Sequence, residues 1–215
     1  MPPKPKTELQ RQQLRNTIIN AARDLFISEG VEAVTMRQIA SRIGYSATSI
    51  YSHFADKESL LRAICDTDFL ALATKQQAIF RIADPVERMM ALGTGYAEFA
   101  LTHPNHYRIM FMTPHAPTTP EQSALQHNNP EQDAYFQLKV VVDEVLKAGK
   151  FRPELTDAEL ISQTIWAAMH GVCALQITMA QDTWVKWCDI SARLKMMQKM
   201  VMQGLLKAPI EESQQ

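Results

Sequence analysis

The chain has 215 residues and 24.3 kDa, and at 46% hydrophobic and 21% charged it is neither a disordered nor a collagen-like polymer but one globular protein or two small helical domains. Its 7 glycines leave little material for the glycine-rich loops of most nucleotide-binding sites, so an all-helical fold leads. The net charge of −1 conceals an asymmetry: residues 1–65 hold nine Lys or Arg against six Asp or Glu, and residues 66–215 hold 13 against 17, so polyanions are expected at one end only.

In chain order, apolar residues at helical spacing and side chains that satisfy free backbone N–H groups predict about nine helices: 8–29, 35–42, 46–52, 57–81, 85–102, 104–112, 130–148, 157–181 and 184–207. Leu14, Ile18, Ala22, Leu25 and Phe26 line the first, and Leu60, Leu61 and Ile64 the fourth. Capping boxes at Thr35 with Gln38, Asp84 with Glu87, Asn129 with Gln132 and Thr156 with Glu159 mark four starts, and Pro85 and Pro130 follow two of them where a missing N–H costs nothing. The stretch 113–128, with three prolines and little periodicity, is expected to be a mobile surface loop. Both tails are polar or proline-rich and expected to fray, and Lys4 and Lys6 in the first offer extra phosphate contacts.

Other functions are excluded by what is missing. There is no G-x-S-x-G, P-loop, G-x-G-x-x-G or paired carboxylate in an apolar setting, so no enzyme is expected. Cys65, Cys173 and Cys188 lie among apolar neighbours and read as reduced core residues. His103 and His106 lack a third ligand at useful spacing, so no metal and no cofactor is expected. The apolar run IWAAMHGVCAL falls short of the ~20 residues of a membrane span, and the N-terminus has no apolar core or cleavage site, so the expected location is cytoplasmic, with no membrane partner.

Residues 34–61, VTMRQIASRIGYSATSIYSHFADKESLL, hold a short capped helix, a turn at Gly44, a second short helix from Ser46 and a long helix capped by Asp56. That is the plan of a helix-turn-helix, whose second helix enters the DNA major groove. Gly44 supplies the turn residue that tolerates a left-handed backbone, and Ile39, Ala40, Ile43 and Ile50 face inward. Ser46, Ala47, Thr48 and Ser49 are small enough at the start of the second helix to approach base edges, while Thr35 and Arg37 begin the bracing helix. Lys57 opens the long helix, where a cation opposes the helix dipole and calls for an anion: a DNA phosphate or a local Asp or Glu.

With Ile39-Ala40, Gly44, Ser46, Ile50-Tyr51, His53-Phe54, Lys57-Glu58 and Leu60, preceded by Ala22, Leu25, Phe26, Gly30 and Thr35, residues 15–62 resemble the DNA-binding domain of the TetR (tetracycline repressor) family. The resemblance implies a DNA-binding domain over 1–55 and a ligand-binding and dimerisation domain over 56–215. DNA-binding residues are then Thr35, Arg37, Ser46, Ala47, Thr48, Ser49, Tyr51, His53 and Lys57, with Tyr51 as the aromatic that reaches a phosphate or a thymine methyl. Thr48 stands where the family often has glycine. Trp166, His170 and Gly171 form a W-x-x-x-H-G pattern resembling a C-terminal domain type found in part of the family, and residues 103–111 also resemble a segment of those domains.

For the remaining chain, Phe69, Tyr96, Phe99, Tyr107, Met110, Phe111, Trp166, Met169 and His170 are the candidate lining of a pocket for a small, mostly apolar effector. Trp187, Ile190, Leu194, Met197, Val201 and Leu205 repeat at heptad-like spacing on a helix of about 36 Å, with Met196 and Met200 as a second strip. Together with Ile161, Ile165, Ala168 and Val172 of the eighth helix they form the expected four-helix dimer interface, the alternative for the ninth helix being an internal core helix. The expected function is a homodimeric, effector-responsive regulator, a repressor, on a palindromic double-stranded operator. The alternative is a regulator whose C-terminal bundle senses a protein instead of a small molecule.

Overall fold

The computed structural model describes residues 7–114 and 116–207, so the tails carrying Lys4 and Lys6 lie outside the described residues. Among the described residues the fold is all-α: α1 (Glu8–Glu29), α2 (Met36–Arg42), α3 (Ala47–Tyr51), α4 (Lys57–Gln76), α5 (Pro85–Thr102), α6 (Pro104–Met112), α7 (Ala134–Lys147), α8 (Ala158–Met179) and α9 (Ile190–Leu205). Single 3-10 turns follow α4 (Gln77–Arg81) and α6 (Pro120–Gln122), and an isolated bridge pairs Phe151 with Leu206.

Caps decide the boundaries. Thr7 with Gln10 and Thr35 with Gln38 form complete capping boxes, and the Asp84 carboxylate accepts from the N–H groups of Val86 and Glu87 with Pro85 at the first helical position. Three starts differ from expectation. α7 is capped by Asp133, because the carbonyl of Asn129 closes a turn with the N–H groups of Gln132 and Asp133. α8 is capped by Asp157 and not Thr156. α9 begins at Ile190, capped by Asp189, five residues after the apolar Trp184-Val185 pair that reads as helix in the sequence; there the N–H of Trp184 turns back to the Asp182 carboxylate. The last turn expected of α4 tightens into the 3-10 turn.

The chain divides into two compact units, one of Met1–Phe69 with Asn105–Gln126 and one of Leu70–Pro104 with His127–Gln215. This division by compactness falls within α4, beyond the expected functional boundary at residue 55, because Leu60, Leu61 and Ile64 of α4 are buried with α1, α2 and α3. In the first unit Ile18, Ala22 and Phe26 of α1, Ile39 and Ala40 of α2, Ile50 of α3, Phe54, and Ile109 of α6 complete that core. A buried charge cluster also holds it. Arg23 of α1 and Asp68 of α4, 7% and 2% exposed, are joined through Nε (3.3 Å) and a second guanidinium nitrogen (2.8 Å). The third guanidinium nitrogen donates to Asn20, and Nδ1 of His106 on α6 lies 3.0 Å from the same carboxylate. The stretch expected to be mobile is tethered to α4 in this unit. The N–H of Ala116 donates to Glu58 (3.1 Å), and the hydroxyl of Ser123 and the N–H of Ala124 donate to Asp66 (2.8 Å each).

In the second unit α5, α7, α8 and α9 pack around Met89, Leu92, Val141, Val142, Val145, Ile161, Ile165 and Met202. α8 is the one helix among the described residues long and apolar enough to cross a membrane, which the shorter run read from the sequence did not indicate. Its composition follows from its two faces. Ile161, Ile165, Met169 and Cys173 are buried in the bundle, while Leu160, Leu175 and Met179 stand exposed on the other side. Of the cysteines, Cys65 and Cys173 are buried as expected, but Cys188 is exposed, since it precedes α9 in a non-helical segment.

Candidate nucleic-acid interface

The helix-turn-helix segment is built by backbone economy. The N–H groups of Ile43 and Tyr45 both return to the Ala40 carbonyl, and between them Gly44 adopts φ +70°, the left-handed conformation that glycine takes at least cost. Ser46 caps α3, accepting from the N–H of Ser49 (3.2 Å), and the two serine hydroxyls are 2.9 Å apart. Ser52 donates to the Ser49 carbonyl (2.8 Å). Ile50 is fully buried and anchors α3 from beneath, so Thr48 and Tyr51 are turned out, Tyr51 with 51% of its surface exposed.

The nine expected DNA-binding residues all lie in the first unit, on α2, α3, their caps or the start of α4. Thr35, Arg37, Ser46, Thr48 and Tyr51 are exposed; Ala47, Ser49, His53 and Lys57 are half-buried. Arg37 has no ion-pair partner among the described residues. Thr35 spends its hydroxyl on Gln38, donating at 2.8 Å to the side-chain oxygen and accepting from the N–H at 3.3 Å. Lys57 has no Asp or Glu ion-pair partner among the described residues. Its Nζ donates to the carbonyls of Val31 (2.8 Å) and Glu32 (3.4 Å), so the charge at the start of α4 holds the α1–α2 turn. α4 is started by Asp56, which accepts from the N–H of Ser59 (2.7 Å); that bond draws its carboxyl below the ordinary range. Sequence reasoning missed Arg15, whose guanidinium lies 4.4 Å over the Phe54 ring and fixes the exit of α3.

The nine expected effector residues fall into two clusters, one in each unit. In the first, Phe69 meets Phe111 edge-on (5.4 Å between ring centroids) and Tyr107 lies 4.8 Å from Phe111, with Tyr107 and Met110 buried. In the second, Nε1 of Trp166 donates to the Tyr96 hydroxyl (3.1 Å), which lies 3.2 Å from Nδ1 of His170. Burial lowers the His170 pKa below its ordinary value, favouring the neutral imidazole. Phe99 and Met169 are core residues, and Phe99 stacks on His103 (5.1 Å). The sequence also gave no sign of Tyr135, whose ring lies 5.7 Å from Trp166 and whose hydroxyl donates to Glu159 (2.5 Å), itself paired with Lys139 at 2.8 Å. A groove of about 440 Å³ in the first unit, floored by Phe26, Val31, Ile109 and Met112, includes none of the nine.

Within the protomer the residues expected at the dimer seam differ in burial. Ile161 and Ile165 are buried in their own unit, and Val201 and Leu205 pack against the same core. Ala168, Val172, Ile190, Leu194 and Met197 are half-buried, and Trp187 precedes α9, its ring under the Arg193 guanidinium at 4.9 Å. Of the heptad positions on α9, Val201 and Leu205 are thus turned to the bundle core. The uncovered apolar strips are Leu160, Ala167, Leu175 and Met179 on α8, and Met196 and Met200 on α9, the last two 61% and 64% exposed.

Comparison with known proteins agrees with this architecture. The model of bacterial regulatory proteins of the tetR family matches residues 18–64, and that of the tetracyclin repressor-like C-terminal domain matches residues 89–185. The HTH-type transcriptional repressor KstR2 of Mycobacterium tuberculosis (strain ATCC 25618 / H37Rv) is 28% identical over 167 residues, 73% of this chain and 80% of its own length. The fatty acid degradation regulator FadR from Bacillus halodurans has the same fold, with a TM-score of 0.69 at 19% identity over 93% of this chain and 97% of its own. SmeT, the repressor of the Stenotrophomonas maltophilia multidrug efflux pump SmeDEF, superposes with a TM-score of 0.67 at 20% identity, covering 92% of each chain.

Proposed function

From membership of the tetR family of bacterial regulatory proteins, to which this chain belongs as a transcriptional regulator and not an enzyme, we propose a homodimeric repressor of transcription that binds an inverted-repeat operator. The observation that carries the reading is the two-sided construction of α3: Ile50 is fully buried, and Thr48 and Tyr51 are presented outward beside the exposed Arg37 of α2. In this reading residues 1–55 bind DNA in the cytoplasm, where the chromosome is, and residues 56–215 dimerise and hold the effector. Arg37 and Tyr51 meet the phosphate backbone and Thr35, Ser46 and Ser49 hold the helices that present them.

Dimerisation uses the apolar strips of α8 and α9 that the protomer leaves uncovered, joining four helices across a two-fold axis. The effector is small and mostly apolar, and the aromatic residues around Trp166, Tyr96 and His170 belong to its site; their W-x-x-x-H-G pattern is the mark of the C-terminal domain type this chain uses. Effector binding changes operator affinity by as much as the effector prefers one conformation over the other.

The test is selection of bound fragments from a randomised DNA pool by the purified protein. The expected result is an inverted repeat whose half-sites are about one helical turn, 34–36 Å, apart. No enrichment at low salt would overturn the reading.

A further inference from the structure

We propose that Thr48 is the side chain that tells one base pair from another in the operator half-site, and that the base it selects is thymine. The inference rests on the DNA-binding reading above and deepens it. It starts from the side chains available. From the cap to the end of the segment α3 offers Ser46, Ala47, Thr48, Ser49, Ile50, Tyr51 and Ser52. None of these makes the bidentate contacts by which Arg and Lys read guanine or Asn and Gln read adenine. What remains is single hydroxyl groups and methyl groups.

Most of those hydroxyls are already committed. Ser46 and Ser49 are hydrogen-bonded to each other at 2.9 Å, and the Ser46 oxygen also takes the N–H of Ser49. Ser52 gives its proton to the Ser49 carbonyl at 2.8 Å, and on α2 Thr35 gives its proton to Gln38 at 2.8 Å. A hydroxyl has one proton: Ser52 and Thr35 have spent theirs, and the Ser46–Ser49 pair spends one of its two, so these groups hold the helices first, and the serines carry no methyl to offer a base. Thr48 differs. Like the Tyr51 phenol, it is exposed and its hydroxyl makes no hydrogen bond among the described residues, but it alone of the two carries a methyl on the carbon that bears the hydroxyl. Ile50, two residues on, is fully buried and fixes the rotation of α3, so Thr48 and Tyr51 share the outward face one turn apart.

The chemistry then chooses the base. In the major groove thymine presents the O4 acceptor beside the 5-methyl group, whereas cytosine presents a donor and the purines present no methyl. Threonine carries a donor hydroxyl and a methyl on the same carbon, which matches that pair of features in one short side chain. Arg37, on the neighbouring helix with no ion-pair partner among the described residues, serves the phosphate backbone and leaves the discrimination to Thr48.

The decisive probe is deoxyuridine, which differs from thymidine only by the 5-methyl group. Each thymine of the repeat selected by the wild-type protein is replaced in turn, and affinity is measured by fluorescence anisotropy for the wild type, Thr48→Ser and Thr48→Val, with melting temperature as the check on folding. At one thymine of each half-site the wild type is expected to lose affinity about fourfold, the worth of one buried methyl group. Thr48→Val, which keeps a methyl, retains that penalty, and Thr48→Ser, which lacks it, loses the penalty while still binding the repeat. A repeat whose thymines all tolerate deoxyuridine, or a penalty that survives unchanged in Thr48→Ser, overturns this inference alone. Failure to select any repeat overturns the DNA-binding reading and this inference with it.

Discussion

Replacing Asp68 by alanine is the sharpest test of how the first unit is held together. Arg23 is 7% and Asp68 2% exposed, so each was moved out of water at a cost that only its partner offsets. The fork of two nitrogens on the Asp68 carboxylate, at 3.3 and 2.8 Å, supplies that offset, with Asn20 taking the third nitrogen. Asp68→Ala leaves the guanidinium buried with Asn20 alone and takes the acceptor from His106, so a loss of about 3–5 kcal/mol is expected, as for other broken buried pairs. At a urea slope of about 2–3 kcal/mol per molar, that moves the midpoint down by roughly 1–2.5 M. Replacing both partners, Arg23→Met with Asp68→Leu, removes the stranded charge and is expected to recover most of the loss. Unfolding is followed by circular dichroism, because Trp166, Trp184 and Trp187 all lie in the second unit and their fluorescence does not report the first. A single variant that loses less than about 1 kcal/mol, or a double variant as unstable as the single, would refute the reasoning.

Exchanging Met196 and Met200 together for glutamate puts charge on the uncovered strip of α9 and is expected to yield a monomer by light scattering with little change in melting temperature; a persistent dimer would place the interface elsewhere. Burial pushes the Cys65 thiol up to about 12 and that of Cys173 up to about 11, while Cys188 is exposed, so one thiol of the three is expected to react with a disulfide reagent at pH 8 before denaturation and all three after it. Two rapid native thiols would contradict the described packing. Hydrogen bonds from Lys139, then Tyr135 and Gln163, hold the Glu159 carboxylate down to about 2 from its ordinary 4.5. Its contribution is therefore present above about pH 4.5 and lost as pH falls toward 2, so the melting-temperature advantage of the wild type over Glu159→Gln should be full at pH 6 and shrink below pH 4.5. An advantage that grows on acidification would reverse the assignment.

Much of the fold is legible in the sequence because cap and apolar period agree. At α5 and α6 a proline opens the helix and the expected bounds are those observed. Where two cap residues compete, the spacing misleads: Asn129 and Asp133 both suit the start of α7, and the backbone groups around Asn129 are taken by a turn. Trp184, Val185 and Trp187 extend the apolar period of α9 backwards, but Asp189 caps the helix after them. The proposed dimer face is hidden for a different reason. α8 and α9 are apolar on two sides, and the period states that a face exists without stating which one the protomer covers. Lys57 shows the same limit at a single residue, since the carbonyls it meets belong to a turn more than twenty residues earlier. The Arg23–Asp68 pair, 45 residues apart, leaves no local signal at all.

The central claim, that the exposed face of α3 is the surface that meets DNA, is tested most directly by titrating the selected inverted repeat with the wild type and with Tyr51→Ala. Tyr51 is 51% exposed and its side chain has no hydrogen bond among the described residues, so its removal should leave the melting temperature and the oligomeric state unchanged. Affinity for the repeat should fall at least about tenfold, the loss of about 1.4 kcal/mol per dimer. A folded, dimeric Tyr51→Ala protein that binds the repeat at wild-type affinity would contradict the account.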